Sequence, residues 1–322
     1  MRPRVVVTRR LPEEVEARLA ERFDAVLNPD DRPLGPDGLA EAIRTADALL
    51  PTVTDRLTAE VLAAAPRRAR ILANFGVGLD HVDLAAAAAH GLVVTNTPGV
   101  LTDDTADLAM TLLLMAARRA GEGERHLRAG AWTGWRPTHM RGTRVTGMTL
   151  GIVGMGRIGR AVAARAHRGF GMRILYCSPR ALPPDEAAAL GAERRELAAL
   201  LAESDAVSLH CPGGPATRHL IDAGALARMR PGALLVNTAR GEVVDEAALV
   251  AALARGEIAG AGLDVYEGEP AVHPGLLERE DVVLLPHLGS ATTAARRAMG
   301  DRAVDNLEAF FAGGPPPDRV AP

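Results

Sequence analysis

Late in the chain an arginine, a glutamate and a histidine each stand just beyond an apolar run: Arg240 in Asn237-Thr238-Ala239-Arg240-Gly241, Glu269 in Asp264-Val265-Tyr266-Glu267-Gly268-Glu269-Pro270, and His287 in Pro286-His287-Leu288-Gly289-Ser290. The runs read as strands of a parallel sheet, and such sheets bind ligands beyond the carboxyl ends of their strands. The residue types suit carbonyl reduction. Adding hydride to a 2-keto acid calls for a cation to hold the carboxylate and polarise the carbonyl, and for a proton donor to the alkoxide. The planar fork of Arg240 can meet carboxylate and keto oxygens together. His287 has the side chain that exchanges protons near neutral pH, and Glu269 on its other ring nitrogen would orient it and favour its charged form. Singly, each has a plainer reading, as ion-pair partner, loop carboxylate or satisfied strand-end imidazole. Their convergence selects the catalytic reading.

A hydride needs a carrier, and Gly154-Met155-Gly156-Arg157-Ile158-Gly159 is a G-x-G-x-x-G placed between an apolar strand ending at Gly154 and a helical pattern over Arg157–Arg168. In that context Gly154 permits the tight turn, Gly156 lets the backbone approach a pyrophosphate, and Gly159 lets helix and strand pack closely. The helix start offers amide N–H groups to the phosphates. The second strand ends in Cys177-Ser178-Pro179-Arg180, without the acid that would bind ribose hydroxyls and repel a 2′-phosphate. Ser178 and Arg180 therefore favour NADP(H), with NAD(H) possible.

The elements that must position these groups follow an α/β alternation. Up to about residue 99, apolar runs at Arg4–Thr8, Ala48–Leu50, Ile71–Phe75 and Val93–Thr95 alternate with Ala-rich helical stretches at Pro12–Arg22, Thr58–Ala65 and Leu84–His90. An acid-rich start at Thr102-Asp103-Asp104-Thr105 opens a long helix. Six further strands are expected near Thr149–Gly154, Arg173–Cys177, Ala206–Cys211, Leu234–Thr238, Gly260–Val265 and Val282–Pro286, as two mononucleotide-binding halves require. A last helix follows Ser290, and Gly313-Gly314-Pro315-Pro316-Pro317 is expected to end ordered structure. The predicted fold is two doubly wound parallel-sheet α/β domains. A Rossmann-type dinucleotide domain (100–289) is inserted into a smaller flavodoxin-like substrate domain (1–99 plus 290–322).

Composition narrows the chemistry further. All 37 basic residues are arginine, so lysine Schiff bases, a PLP lysine and the P-loop lysine are excluded. The net charge of -3 gives no basic face for nucleic acid. Two cysteines, Cys177 and Cys211, fit a reducing compartment and no metal site. No apolar run is long enough for a bilayer and the start lacks a signal-peptide pattern, so a cytoplasmic protein without membrane contact is expected.

The segments Gly151–Gly159, Asn237–Gly241, Gly262–Pro270 and Pro286–Ser290 together resemble the D-isomer-specific 2-hydroxyacid dehydrogenase family, and the likeness runs from Asn74–Asp83 to the end of the chain. Val100–Ala106 and Trp132–Pro137 look most like its glyoxylate/hydroxypyruvate reductases. The family's arginine, glutamate and histidine fall on Arg240, Glu269 and His287. The resemblance implies that Val77 and Gly78 bind the substrate carboxylate through backbone N–H groups. Small apolar residues beside them, Leu50 and Val77, suggest a short substrate side chain. It implies also that Thr105, Arg157, Ile158, Cys211, Pro212, Thr217, Thr238, Ala239, Asp264 and Gly289 contact the cofactor, Asp264 through the nicotinamide carboxamide. A homodimer through Gly121–Gly147 is implied too, with Trp135 either reaching the neighbouring subunit's site or packing on its own loop. Two rivals stay open: a dinucleotide-sensing corepressor or scaffold on the same fold, and a formate or phosphite dehydrogenase.

Overall fold

The computed structural model describes residues 2–320, which divide into two compact units, one running to Leu101 and resuming at Thr292, the other Thr102–Ala291. In the first unit, strands β1 (Arg4–Val7), β2 (Asp24–Val26), β3 (Ala48–Leu50), β4 (Ile71–Ala73) and β5 (Val93–Thr95) form a parallel sheet in the order β2-β1-β3-β4-β5. This is the flavodoxin-like order. A strand covered on both faces needs apolar residues at successive positions, and Ala48-Leu49-Leu50 and Ile71-Leu72-Ala73 are buried throughout. Helices α1 (Glu13–Arg22), α2 (Pro36–Thr45), α3 (Ala59–Leu62) and α4 (Leu84–Ala89) link the strands; Thr58 and Asp83 cap α3 and α4 by accepting from Val61 N and Ala86 N.

The last helix (Thr293–Phe311) packs on α1 and β4. Contact with α1 is close: a Cβ on Gly300 would lie 2.4 Å from Val15 Cγ2, and Arg18 pairs with Asp301, Asp305 and Glu308. Order does not stop at the glycine–proline run, contrary to expectation. Asp318, 9% exposed, accepts from Arg302 and from the Asn306 amide, and Val320 N–H donates to Val94 O at 2.8 Å. These polar anchors, not an apolar pattern, fix the tail.

The second unit holds β6 (Thr149–Val153), β7 (Arg173–Cys177), β8 (Ala192–Arg194), β9 (Ala206–Leu209), β10 (Leu234–Asn237), β11 (Gly260–Leu263) and β12 (Val282–Leu284), all parallel, in the order β12-β11-β10-β9-β6-β7-β8. The chain leaves β6 in one direction through β7 and β8, then returns to β6's other side at β9. That reversal places a ligand crevice at the carboxyl end of β6. Helix α5 (Thr102–Ala117) packs on α7 (Arg157–Phe170) and on β10, β11 and β12; a Cβ on Gly262 would stand 2.9 Å from Leu112 Cβ. Seven strands stand where six were expected, and β2 was likewise unforeseen. Both β2 and β8 are three-residue strands at a sheet edge without a fully buried position, so they carry little apolar signal. Charge pins β8 instead, through two hydrogen bonds from Arg173 to Glu193.

Beyond α5, α6 (Ala120–Arg128) buries no residue, and the chain to Gly147 is largely irregular and exposed. Among the described residues no helix is long and apolar enough to cross a membrane, and no group of three or more His, Cys, Asp or Glu could hold a metal ion.

Candidate active site

The glycine loop joins β6 to α7. Gly154 has φ +97°, and a Cβ there would lie 2.5 Å from Cys211 N; on Gly159 it would lie 2.2 Å from Gly154 O. Neither position tolerates a side chain. Gly156, between them, is exposed and has nothing within 4 Å of its Cβ direction. Two glycines close the turn and the third leaves open room at the helix start, where Arg157 and Ile158 begin α7, so the residues fit a pyrophosphate. Thr238 Oγ1, buried beyond β10, has no hydrogen-bond partner among the described residues.

At the rim, Ser178 is half-buried and Arg180 exposed. Pro212 O accepts from the Thr217 hydroxyl at 2.7 Å, which closes the loop after β9. Burial pushes the Cys211 thiol up to about 11, so it is an inert wall.

Of the three strand-end residues, two meet directly: His287 Nδ1 lies 2.8 Å from Glu269 Oε2, each side chain about one-third exposed. With Nδ1–H donating to the carboxylate, Nε2 is left to exchange a proton with a ligand. Burial pushes the Glu269 carboxyl up. The hydrogen bond and charge of His287, the Tyr266 N–H and the Arg240 charge outweigh it and hold Glu269 below the ordinary glutamate range. Tyr266 N–H donates to the other oxygen, Oε1, at 2.9 Å, so the carboxylate is fixed at both ends.

His287 has φ +54°, a left-handed conformation costing about 1–2 kcal/mol outside glycine. Asp264 supplies the compensation. Its oxygens accept from Leu288 N (2.6 Å) and Gly289 N (2.8 Å), its own O accepts from His287 N (2.9 Å), and Thr105 Oγ1 donates to Gly289 O (2.9 Å). Asp264 and Thr105 thus brace the histidine turn, with second lone pairs still available on their oxygens.

Arg240 projects from the loop after β10. Its NH1 donates to Ala239 O at 2.7 Å, while Asn237 clamps the loop by donating to Arg240 O and accepting from Ala239 N. A Cβ on the next residue, Gly241, would fall 1.8 Å from Tyr266 C. Only glycine lets the Arg240 loop lie on the Glu269 loop. That second loop is held from below by Glu246, 8% exposed, which accepts from Glu267 N at 2.8 Å.

In the first unit the carbonyls of Gly76, Val77 and Gly78 are all engaged: Asn74 Nδ2 donates to Gly76 O (2.9 Å) and Gly78 O (3.0 Å), and Asn96 Nδ2 to Val77 O (2.8 Å). Because N–H and C=O point oppositely across a trans peptide, the Val77 and Gly78 amides face away from those side chains. Leu50 is a correction: it is 0% exposed and its carbonyl accepts from Thr8 N, so it belongs to the core and not to a pocket wall. Trp135, 80% exposed, does not pack on its own loop.

Asn74, Asn96, Asn237 and Glu246 escaped the sequence reading. Their signal is polarity at a strand end, for the three asparagines, or at a helix start, for Glu246.

Residues 110–289 match the sequence profile of the D-isomer specific 2-hydroxyacid dehydrogenase NAD-binding domain. A glyoxylate reductase of Thermococcus kodakarensis is 48% identical over 324 residues, covering 99% of this chain and 96% of that protein. The NADPH-dependent glyoxylate/hydroxypyruvate reductase of Sinorhizobium meliloti, solved with NADP and malonate, superposes with TM-score 0.86 at 38% identity, covering 100% of this chain and 97% of that one. The holo D-mandelate dehydrogenase of Rhodotorula graminis superposes with TM-score 0.88 at 30% identity, covering 100% and 98%. Profile, full-length identity and two Rossmann-ordered sheet halves agree: the chain belongs to the D-isomer-specific 2-hydroxyacid dehydrogenases and is a nicotinamide-dinucleotide-dependent oxidoreductase acting on small keto or hydroxy acids.

Proposed function

We propose that this protein reduces a 2-keto acid of the glyoxylate or hydroxypyruvate class to the D-2-hydroxy acid, with NADPH preferred over NADH. The observation that carries the reading is the His287–Glu269 contact at 2.8 Å on a turn braced by Asp264. The cofactor supplies hydride to the carbonyl carbon when bound. His287 Nε2 gives its proton to the carbonyl oxygen, Glu269 keeps the ring oriented, and Arg240 holds the substrate carboxylate and keto oxygen. The Val77 and Gly78 N–H groups donate to the substrate carboxylate. Gly154, Gly156, Arg157, Ile158 and Gly159 take the pyrophosphate, Ser178 and Arg180 the adenosine phosphate, and Cys211, Pro212, Thr217, Thr238 and Ala239 line the cofactor. Relatives support the substrate class, though the D-mandelate enzyme shows that this fold also serves bulkier acids. The test is kcat/KM for glyoxylate, hydroxypyruvate and pyruvate with each cofactor, plus the chirality of the product. NADPH turnover of glyoxylate or hydroxypyruvate, with D product from the latter, is expected. No turnover of any keto acid would instead leave a dinucleotide sensor.

We propose further that the chain is a homodimer through Gly121–Gly147. Leu127, Trp132 and Trp135 are 60%, 51% and 80% exposed there, and clustered apolar side chains with tryptophan anchors mark interfaces. Sedimentation should give twice the chain mass. Leu127→Ala with Trp132→Ala should weaken association by at least about 30-fold, on the order of 2 kcal/mol. A wild-type chain that sediments as a monomer at micromolar concentration defeats this assignment.

A further inference from the structure

The rim that faces the adenosine end carries a second arginine. Register pairs Tyr176 of β7 with Arg194 of β8, so this edge strand brings Arg194 alongside the end of β7. There its NH2 donates to Ser178 O at 3.0 Å and to Pro179 O at 3.2 Å. These two bonds fix the guanidinium against the Ser178–Arg180 turn. Among the described residues no acceptor meets its Nε or NH1. The next arginine, Arg195, is committed elsewhere, to Glu193 and Glu203.

We propose that Arg194 is a specificity-determining residue that, with Arg180, recognises the 2′-phosphate of the adenosine ribose. The inference rests on the NADPH preference proposed above. A guanidinium held by two carbonyls on one edge presents its other N–H groups in a fixed plane, which suits a phosphate better than a mobile surface arginine does. It also opposes the charge of Glu196. Burial pushes the Cys177 thiol up, the Glu196 charge adds to that, and the Arg194 charge opposes it, so both side chains act on the end of β7. Without Arg194 the rim would present Arg180 against Glu196, a much weaker discrimination between a phosphate and a free hydroxyl.

The test is calorimetric binding of 2′,5′-ADP and 5′-AMP to the full chain and to its Arg194→Gln and Arg180→Gln variants, with melting temperature as a check on folding. Arg194→Gln should weaken 2′,5′-ADP about tenfold, the size of one partly screened charged hydrogen bond, and leave 5′-AMP within about twofold. The ratio of kcat/KM for NADPH over NADH should fall by the same factor. Unchanged 2′,5′-ADP affinity overturns the proposal, as does equal weakening of both nucleotides, which would make Arg194 only a strut for the turn. A wild-type chain that binds 5′-AMP as tightly as 2′,5′-ADP overturns the NADPH preference itself. That result is distinguishable because it appears before any variant is made.

Discussion

His287→Ala is expected to lower kcat for keto-acid reduction by about 10²–10⁴, with cofactor affinity changed little. The size follows from removing a positioned proton donor. The small effect on binding follows from the turn, because Asp264 grips Leu288 and Gly289 through backbone N–H groups that alanine would not disturb. Alanine would keep the left-handed backbone at +54° at some cost, so His287→Asn, which tolerates that region, is the companion variant. Stopped-flow absorbance of NADPH under single turnover reads the step directly. A variant that retained more than a tenth of the wild-type rate would remove His287 from the chemistry.

Glu269→Gln adds a pH signature to the same experiment. Glu269 is held below the ordinary glutamate range by its His287 hydrogen bond and its surroundings, against the upward push of burial. A carboxylate depressed in the folded state contributes fully above its ordinary value and loses that contribution as pH falls through the depressed one. The gap between wild-type and Glu269→Gln rates should therefore stay constant from neutral pH down to about 5, and close only below the usual glutamate pKa of about 4.3. A gap that closed between pH 7 and 6 would show that the carboxylate is not the group that steadies the imidazole.

What could be read in advance was whatever is repeated or local. Buried runs such as Ala48-Leu49-Leu50 announce central strands, and the glycine triplet between strand and helix announces its own turn. Arg240, Glu269 and His287 all lie in the loops that follow β10, β11 and β12, so the strand pattern brought them into view together, and the fold sets His287 against Glu269. Residues whose role depends on a distant partner were not. Glu246 is an ordinary helix-start acid until the fold sets it under Glu267 N–H, and Arg194 is one of 37 arginines until β8 pairs with β7. Leu50 shows the converse error. Its nearness to the expected carboxylate site suggested a pocket, but β3 is a central strand buried at every position, and its side chain belongs to the core. Short edge strands and the tail beyond Gly314 stayed hidden because ion pairs and single polar anchors fix them.

Arg240→Lys should be nearly as damaging as Arg240→Gln, with kcat/KM for keto acids down about 10²–10³ in both. Charge alone does not do this residue's work. The guanidinium is already oriented by NH1 donating to Ala239 O, the loop beneath it is clamped by Asn237, and its charge helps hold Glu269 ionised. An ammonium could supply the charge but not the planar fork that meets a carboxylate and a keto oxygen together. The split between parameters is diagnostic. If Arg240 only held the ground-state carboxylate, Lys would raise KM and spare kcat; because the keto oxygen gains charge as hydride arrives, kcat should fall as well. A lysine variant with wild-type kcat would confine Arg240 to substrate binding and leave the developing alkoxide to His287 alone.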